Sequence, residues 1–181
     1  MTDIVDKLTA EQALLILGRL FQKGGSVREA VVAEATGLLS DIDGDDLAQD
    51  VFDELDSIDV QECWDRAGGS DDGDVSPDEA AIEIVEEVLQ PFLDQAQRYH
   101  ELGMPEQEAV YCEGVFAGIY RYERDAKSEF KNLCEDIPAD CAGVLFDDWW
   151  TRNSDKARRA KMDVFIRKHC PDWASWLDDL E

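Results

Sequence analysis

The chain has 181 residues, enough for one domain of ordinary size, and 44% of them are hydrophobic. It carries 43 acidic residues against 17 Lys and Arg, a formal net charge of −26. A plentiful and periodic apolar complement sets it apart from disordered acidic chains, and the overall charge disfavours direct binding to DNA or RNA.

The opening, Met-Thr-Asp-Ile-Val-Asp-Lys-Leu-Thr-Ala-Glu-Gln, lacks the basic region and apolar run of a secretory leader. No apolar run approaches a membrane span. The five cysteines (Cys63, Cys112, Cys134, Cys141, Cys170) are odd in number and widely spaced, the usage expected of free thiols in a reducing cytoplasm. Asp outnumbers Glu by 26 to 17 and Arg outnumbers Lys by 10 to 7, usage that resembles that of salt-adapted proteins.

Helix starts are well marked along the chain. Thr9 with Gln12, Ser26 with Glu29, Asp59 with Glu62 and Ser76 with Glu79 have capping-box spacing, and Pro77 and Pro105 sit at first helical positions. Gly24-Gly25, Gly68-Gly69 and Gly103 follow apolar-periodic runs, where helices stop. The pattern predicts a hairpin of Leu8–Lys23 with Ser26–Ser40, and a second of Asp78–Leu102 with Pro105–Arg124. In the second, Ala81, Ile84, Val85, Val88, Leu89, Phe92, Leu93 and Ala96 share one face, and Pro91 is expected to kink the helix near Gln90. The following helix turns Ala109, Cys112, Phe116 and Ile119 to one side. Its Gly114 and Gly118, four apart, predict a close helix crossing. Cys141–Phe146 is the single stretch readable as a strand, and it reads equally well as helix.

The expected fold is therefore all-α, with stacked α-α hairpins and seven to nine helices in a single domain over 1–181. Its parts are a first hairpin with a third helix (1–56), a short helix and an acidic Gly/Asp loop (57–77), a second hairpin (78–124), and a Trp-rich C-terminal cap (125–181).

The two hairpins share a motif. Gly24–Glu34 and Gly103–Glu113 both read Gly-x4-Glu-Ala-Val-x2-Glu, offset by 79 residues. With Leu102–Ala109 (Leu-Gly-Met-Pro-Glu-Gln-Glu-Ala), the chain resembles the tetratricopeptide and related helical-repeat families. The offset is not a multiple of their 34-residue repeat. The resemblance implies a protein-binding scaffold, with Ala30 and Ala109 buried at equivalent helix crossings.

Gly68–Glu79 aligns with a twelve-residue EF-hand loop, placing Asp72, Ser76 and Glu79 at ligand positions, but Gly68 stands where the first carboxylate belongs. Asp41–Phe52 has Asp41, Asp43 and Asp45 in place and ends on Phe52 instead of the bidentate Glu. The capping box accounts for Ser76–Glu79 without a metal, so no metal site is expected. His169 and Cys170 with Cys134 and Cys141 lack zinc-ligand spacing, and no P-loop, dinucleotide fingerprint or Glu-x-x-His motif occurs. Neither a cofactor nor catalysis is expected.

Charge is unevenly spread. Residues 41–94 hold 20 acids and one cation, Arg66, whereas Arg152–Lys168 holds seven cations and two acids. Three readings stand: a solvated surface neutralised by the basic helix, a docking face for a basic partner, and a mimic of nucleic acid that blocks a DNA- or RNA-binding protein. The expected partner surface comprises Asp43, Asp45, Asp46 and Asp50, with Leu47, Val51, Phe52, Leu55, Val60 and Trp64 turned inward. Trp149-Trp150 is a second candidate contact, because neighbours on a helix cannot both face one core. Trp173, Trp176 and Leu177 are expected to close the end of the helical stack.

Overall fold

The computed structural model describes residues 4–67, 76–134 and 136–178. Among them are nine α-helices and no strand: α1 (Ala10–Gln22), α2 (Gly25–Ser40), α3 (Gly44–Asp56), α4 (Val60–Ala67), α5 (Pro77–Glu101), α6 (Pro105–Asp125), α7 (Ile137–Arg152), α8 (Lys156–His169) and α9 (Ser175–Asp178). Short 3-10 turns precede α1, α7 and α9. The all-α expectation holds, and Cys141–Phe146 lies within α7. No helix of the described residues is long and apolar enough to cross a membrane. The chain divides into two compact units, Met1–Asp41 and Ile42–Glu181.

The first unit is the α1–α2 hairpin. Thr9 and Gln12 form the expected reciprocal cap. The turn uses Gly24 and Gly25, both at positive φ (68° and 54°), a conformation that costs glycine nothing. Ser26 does not cap. The helix starts at Gly25 with Gly24 at the N-cap, so Ser26 already lies inside the first turn. No residue of α1 or α2 is buried, and Ala30 is exposed, against the expectation of a buried crossing. Too few side chains surround a two-helix hairpin to enclose an alanine on its flank.

The second unit is built around α6, which packs against α3, α5, α7 and α8. Its crossing with α3 is the closest. A Cβ on Gly118 would lie 2.6 Å from Val51 Cβ and 2.7 Å from the Ala48 carbonyl oxygen. One on Gly114 would lie 2.8 Å from Leu47 Cδ2. The paired glycines thus serve helix packing, as expected. Val51, Leu55, Leu89, Val115, Phe116, Ile119, Phe146, Trp149 and Met162 are among the residues of the core they open onto.

The helix α5 runs unbroken through Pro91, whose ring sits on the exposed side. There the Glu87 carbonyl is deprived of its usual amide donor. Its buried face carries Ala81, Ile84, Val85, Leu89 and Ala96. Gly103 turns the chain into α6 at φ 66°, the same left-handed device as Gly24, and Ala109 is buried. At the C-terminal end Trp173 and Leu177 are buried, and Trp173 stacks on Trp176 with centroids 4.6 Å apart. Tyr120 meets the edge of Trp173.

Candidate functional site

The start of α3 is acidic by construction. Asp43 is its N-cap, with Oδ1 accepting from the amides of Asp45 (3.0 Å) and Asp46 (3.1 Å), and these acids lie against the positive end of the helix. Asp43, Asp45, Asp46 and Asp50 are all exposed. The opposite face buries Ala48, Val51 and Leu55. Leu47, Phe52 and Val60 are half-buried against the core.

In α4 the inward position is taken by Cys63, and Trp64, expected inside, is 51% exposed. The eight-residue helix can bury a narrow stripe, and with Cys63 on the inner line the next residue, about 100° round, faces out. Asp59 caps α4 through the amide of Gln61 (2.9 Å), while Glu62 reaches Arg66 instead of returning to the cap.

Arg66, the sole cation of residues 41–94, is held between Glu62 (2.7 Å) and Glu87 (2.8 Å). Hydrogen bonds to Glu87 and Glu62 hold its guanidinium well above its ordinary pKa, and Arg66 in turn holds the Glu87 carboxyl below the usual range. Along α5 a surface hollow of about 590 Å³ is lined by Glu83, Glu86, Glu87, Gln90, Pro91 and Asp94.

Among the described residues, the ion pairs of the basic helix α8 are made with acids outside this face. Arg158 donates to Glu106 Oε1 (2.9 Å) and to Asn153 Oδ1 (3.0 Å). Arg159 donates to the Trp150 and Asn153 carbonyls. Arg167 pairs with Asp163 (3.1 Å), and Lys161 lies 3.9 Å from Glu106. Among the described residues, every ion pair made by an acid of 41–94 is with Arg66.

Of the adjacent tryptophans, Trp149 is fully buried and Trp150 is half-buried, with the Arg159 guanidinium 4.5 Å over its ring. In the EF-hand alignment, Asp72 lies outside the described residues. Ser76 Oγ accepts from the Glu79 amide (3.2 Å), and Glu79 Oε2 accepts from the Ser76 amide (2.9 Å) and hydroxyl (3.1 Å). Those bonds hold the Glu79 carboxyl below its ordinary pKa. Both side chains are thus committed to starting α5, as the capping box predicts.

One cluster escapes the sequence. Glu108 is wholly buried in the first turn of α6. Arg152 Nη2 lies 3.1 Å from its Oε1, off the hydrogen-bonding direction, and His100 Nδ1 lies 3.6 Å from its Oε2. Asn153 Nδ2 stands 3.5 Å from the same Oε2. These groups border a 320 Å³ hollow shared with Arg158 and Gly103. The three partners lie 8 to 45 residues away in the chain, so no spacing announces the cluster. Its chemistry is that of a buried ion pair joining α6 to the end of α7.

The thiols are poor nucleophiles. Burial pushes Cys134 and Cys141 up to about 11 and Cys170 up to about 12, and raises Cys63 and Cys112 as well. His169 stacks on Phe165 with centroids 4.8 Å apart. Among the described residues no three His, Cys, Asp or Glu side chains converge as a metal site would require. Burial also pushes the Glu123 carboxyl up to about 7, with Trp173 hydrogen bonding pulling it back and Asp136 adding to the rise.

No protein-family model, curated protein or solved structure matches the chain. The arrangement of its own residues is what bears on function.

Proposed function

We propose that the protein is a non-catalytic interaction module that binds a basic protein surface through the acidic face of α3, α4 and α5. The observation that carries this reading is the lack of internal countercharge. Among the described residues Arg66 is the single cation in an ion pair with an acid of residues 41–94, while Arg158 and Lys161 of α8 pair with Glu106 and Arg167 with Asp163. An unneutralised field of one sign speeds encounter with an oppositely charged partner and selects among partners. Exposed Trp64 supplies an aromatic anchor within that field, of the type that dominates interface energetics.

The test is capture of partners from native lysate on the immobilised protein, eluted with a salt gradient. A basic protein released as salt rises, and lost from a chain carrying Asp43→Asn, Asp45→Ser, Asp46→Asn and Asp50→Asn, supports the reading. Retention by that chain at high salt overturns it. If the captured partner is a nucleic-acid-binding protein and DNA or RNA displaces it, the module acts as a nucleic-acid mimic. Without such competition it is an adaptor.

A further inference from the structure

The α1–α2 hairpin has no core of its own. Eight large apolar side chains of the two helices are more than a third exposed: Leu14, Leu15, Ile16, Leu17, Phe21 and Leu38, together with two valines. Leu14 to Leu17 are consecutive, so at 100° per residue they occupy most of the circumference of α1. Glu11, Gln12, Arg19 and Gln22 share one side of α1, and the apolar arc that remains, with Leu15 outside it, is wider than α2 alone can cover. The exposed apolar surface of the eight side chains is roughly 800 Å², one partner's share of an interface of standard size. A two-helix hairpin of 13 and 16 residues is itself too short to be stable without further packing.

The charges of the hairpin say what covers it. Residues 10–40 carry three cations (Arg19, Lys23, Arg28) and three acids (Glu11, Glu29, Glu34), a neutral stretch in a chain of net −26. The cations gather at the turn, around Gly24. Glu29 also lies at the turn, which keeps a net excess of cations, while Glu11 stands at the open end with Asp6 and Asp41 just beyond it, and Glu34 lies past the middle of α2 toward that end. A second hairpin laid antiparallel sets the basic turn of each copy against the acidic open end of the other. The two helices, about 20 and 24 Å long, match closely enough for full overlap.

We propose that this surface binds a second copy of the chain, hairpin against hairpin, as an antiparallel four-helix bundle with two-fold symmetry. The neutral hairpin is also the part of so acidic a molecule that two copies bring together with the least repulsion. This association is independent of the acidic-face reading and is tested separately from it.

The experiment is light scattering on the full-length protein over a concentration series. All five tryptophans lie in Ile42–Glu181, so their fluorescence reports whether that unit stays folded in any variant. The expected mass at about 50 µM is twice the 20.4 kDa of the chain, and it persists in about 1 M salt, where charge effects are screened but apolar burial is not. A Leu14→Glu, Leu17→Glu chain is expected to run as a monomer with unchanged tryptophan emission. Reversing the turn (Arg19→Glu, Lys23→Glu, Arg28→Glu) is expected to weaken self-association at least tenfold. Mixing that chain with a Glu11→Lys, Glu34→Lys chain is expected to restore the dimer. A monomeric wild type at every concentration overturns the proposal, as does a dimer that survives the leucine changes. A dimer indifferent to reversal of the turn overturns the antiparallel arrangement.

Discussion

Glu108 shows what a single side chain can cost or contribute according to its company. Its carboxylate has left water completely, and Arg152, with His100 and Asn153 nearby, stands in for the lost solvent. Removing one member of such a pair strands the other as a buried charge. Glu108→Gln is expected to destabilise the second unit by about 3 kcal/mol, read from urea unfolding followed by tryptophan fluorescence. Pairing it with Arg152→Met is expected to recover most of the loss, because the apolar replacement leaves no stranded charge. Glu123 behaves differently, since burial raises its carboxyl to about 7 in the folded protein, against about 4.3 in the unfolded chain. Between those values the folded state holds the extra proton. Its contribution to stability is therefore full below about pH 4.3 and falls as pH rises toward 7. Replacing Glu123 with Gln is expected to flatten that part of the pH–stability curve, measured as the urea midpoint at intervals of pH. An unchanged slope in the variant would refute the assignment.

Between elements, the α3–α6 crossing sets the shape of the second unit, and it depends on the absence of two side chains. Gly118→Ala puts a methyl group 2.6 Å from Val51 Cβ and 2.7 Å from a backbone oxygen that cannot swing aside. The expected outcome is a net loss of about 2 kcal/mol, although alanine is intrinsically the better helix former by about 1 kcal/mol. Gly143 in α7 is the matching control, because its nearest neighbour is a ring carbon of Trp176 at 4.0 Å. Gly143→Ala is expected to stabilise by about 0.5–1 kcal/mol. Chemical denaturation of the two variants side by side decides whether sterics or propensity governs each glycine. The start of α5 offers a smaller effect: Ser76→Ala removes the acceptor of the Glu79 amide and is expected to cost about 1 kcal/mol.

At the scale of the whole molecule, Arg158, Arg159 and Lys161 of α8 are engaged where α6, α7 and α8 meet, while among the described acids of residues 41–94 only Glu62 and Glu87 have a cation partner, Arg66. A partner drawn by that field is expected to associate more slowly with the chain altered at Asp43, Asp45, Asp46 and Asp50, its dissociation changing less. Stopped-flow binding at several salt concentrations measures both rates. The wild-type association rate should fall steeply as the Debye length shrinks from about 10 Å at 0.1 M to about 3 Å at 1 M, and that slope should be shallower in the altered chain. Equal slopes would assign these four acids to solubility alone.

What the sequence determined was local. Helix starts at Thr9, Ser76 and Pro105, turns at Gly24 and Gly103, and the apolar stripe of α5 follow from interactions within a few residues, so the chain carries them in plain order. The glycine pair of α6 announced a close crossing because only a missing side chain permits one. Tertiary structure decided the matters that depend on residues far apart. It chose α3 as the helix meeting those glycines, drew Glu108 and Arg152 together across 44 residues, and turned Cys63 inward and Trp64 out. It also gave the twin Gly-x4-Glu-Ala-Val motifs different fates. Ala109 and Glu108 are enclosed because α3, α7 and α8 surround α6, while Ala30 and Glu29 are exposed in a unit of two helices. Each stretch turns on a glycine at positive φ and opens a helix, but burial depends on what else the fold brings alongside, and no short stretch of chain contains that information.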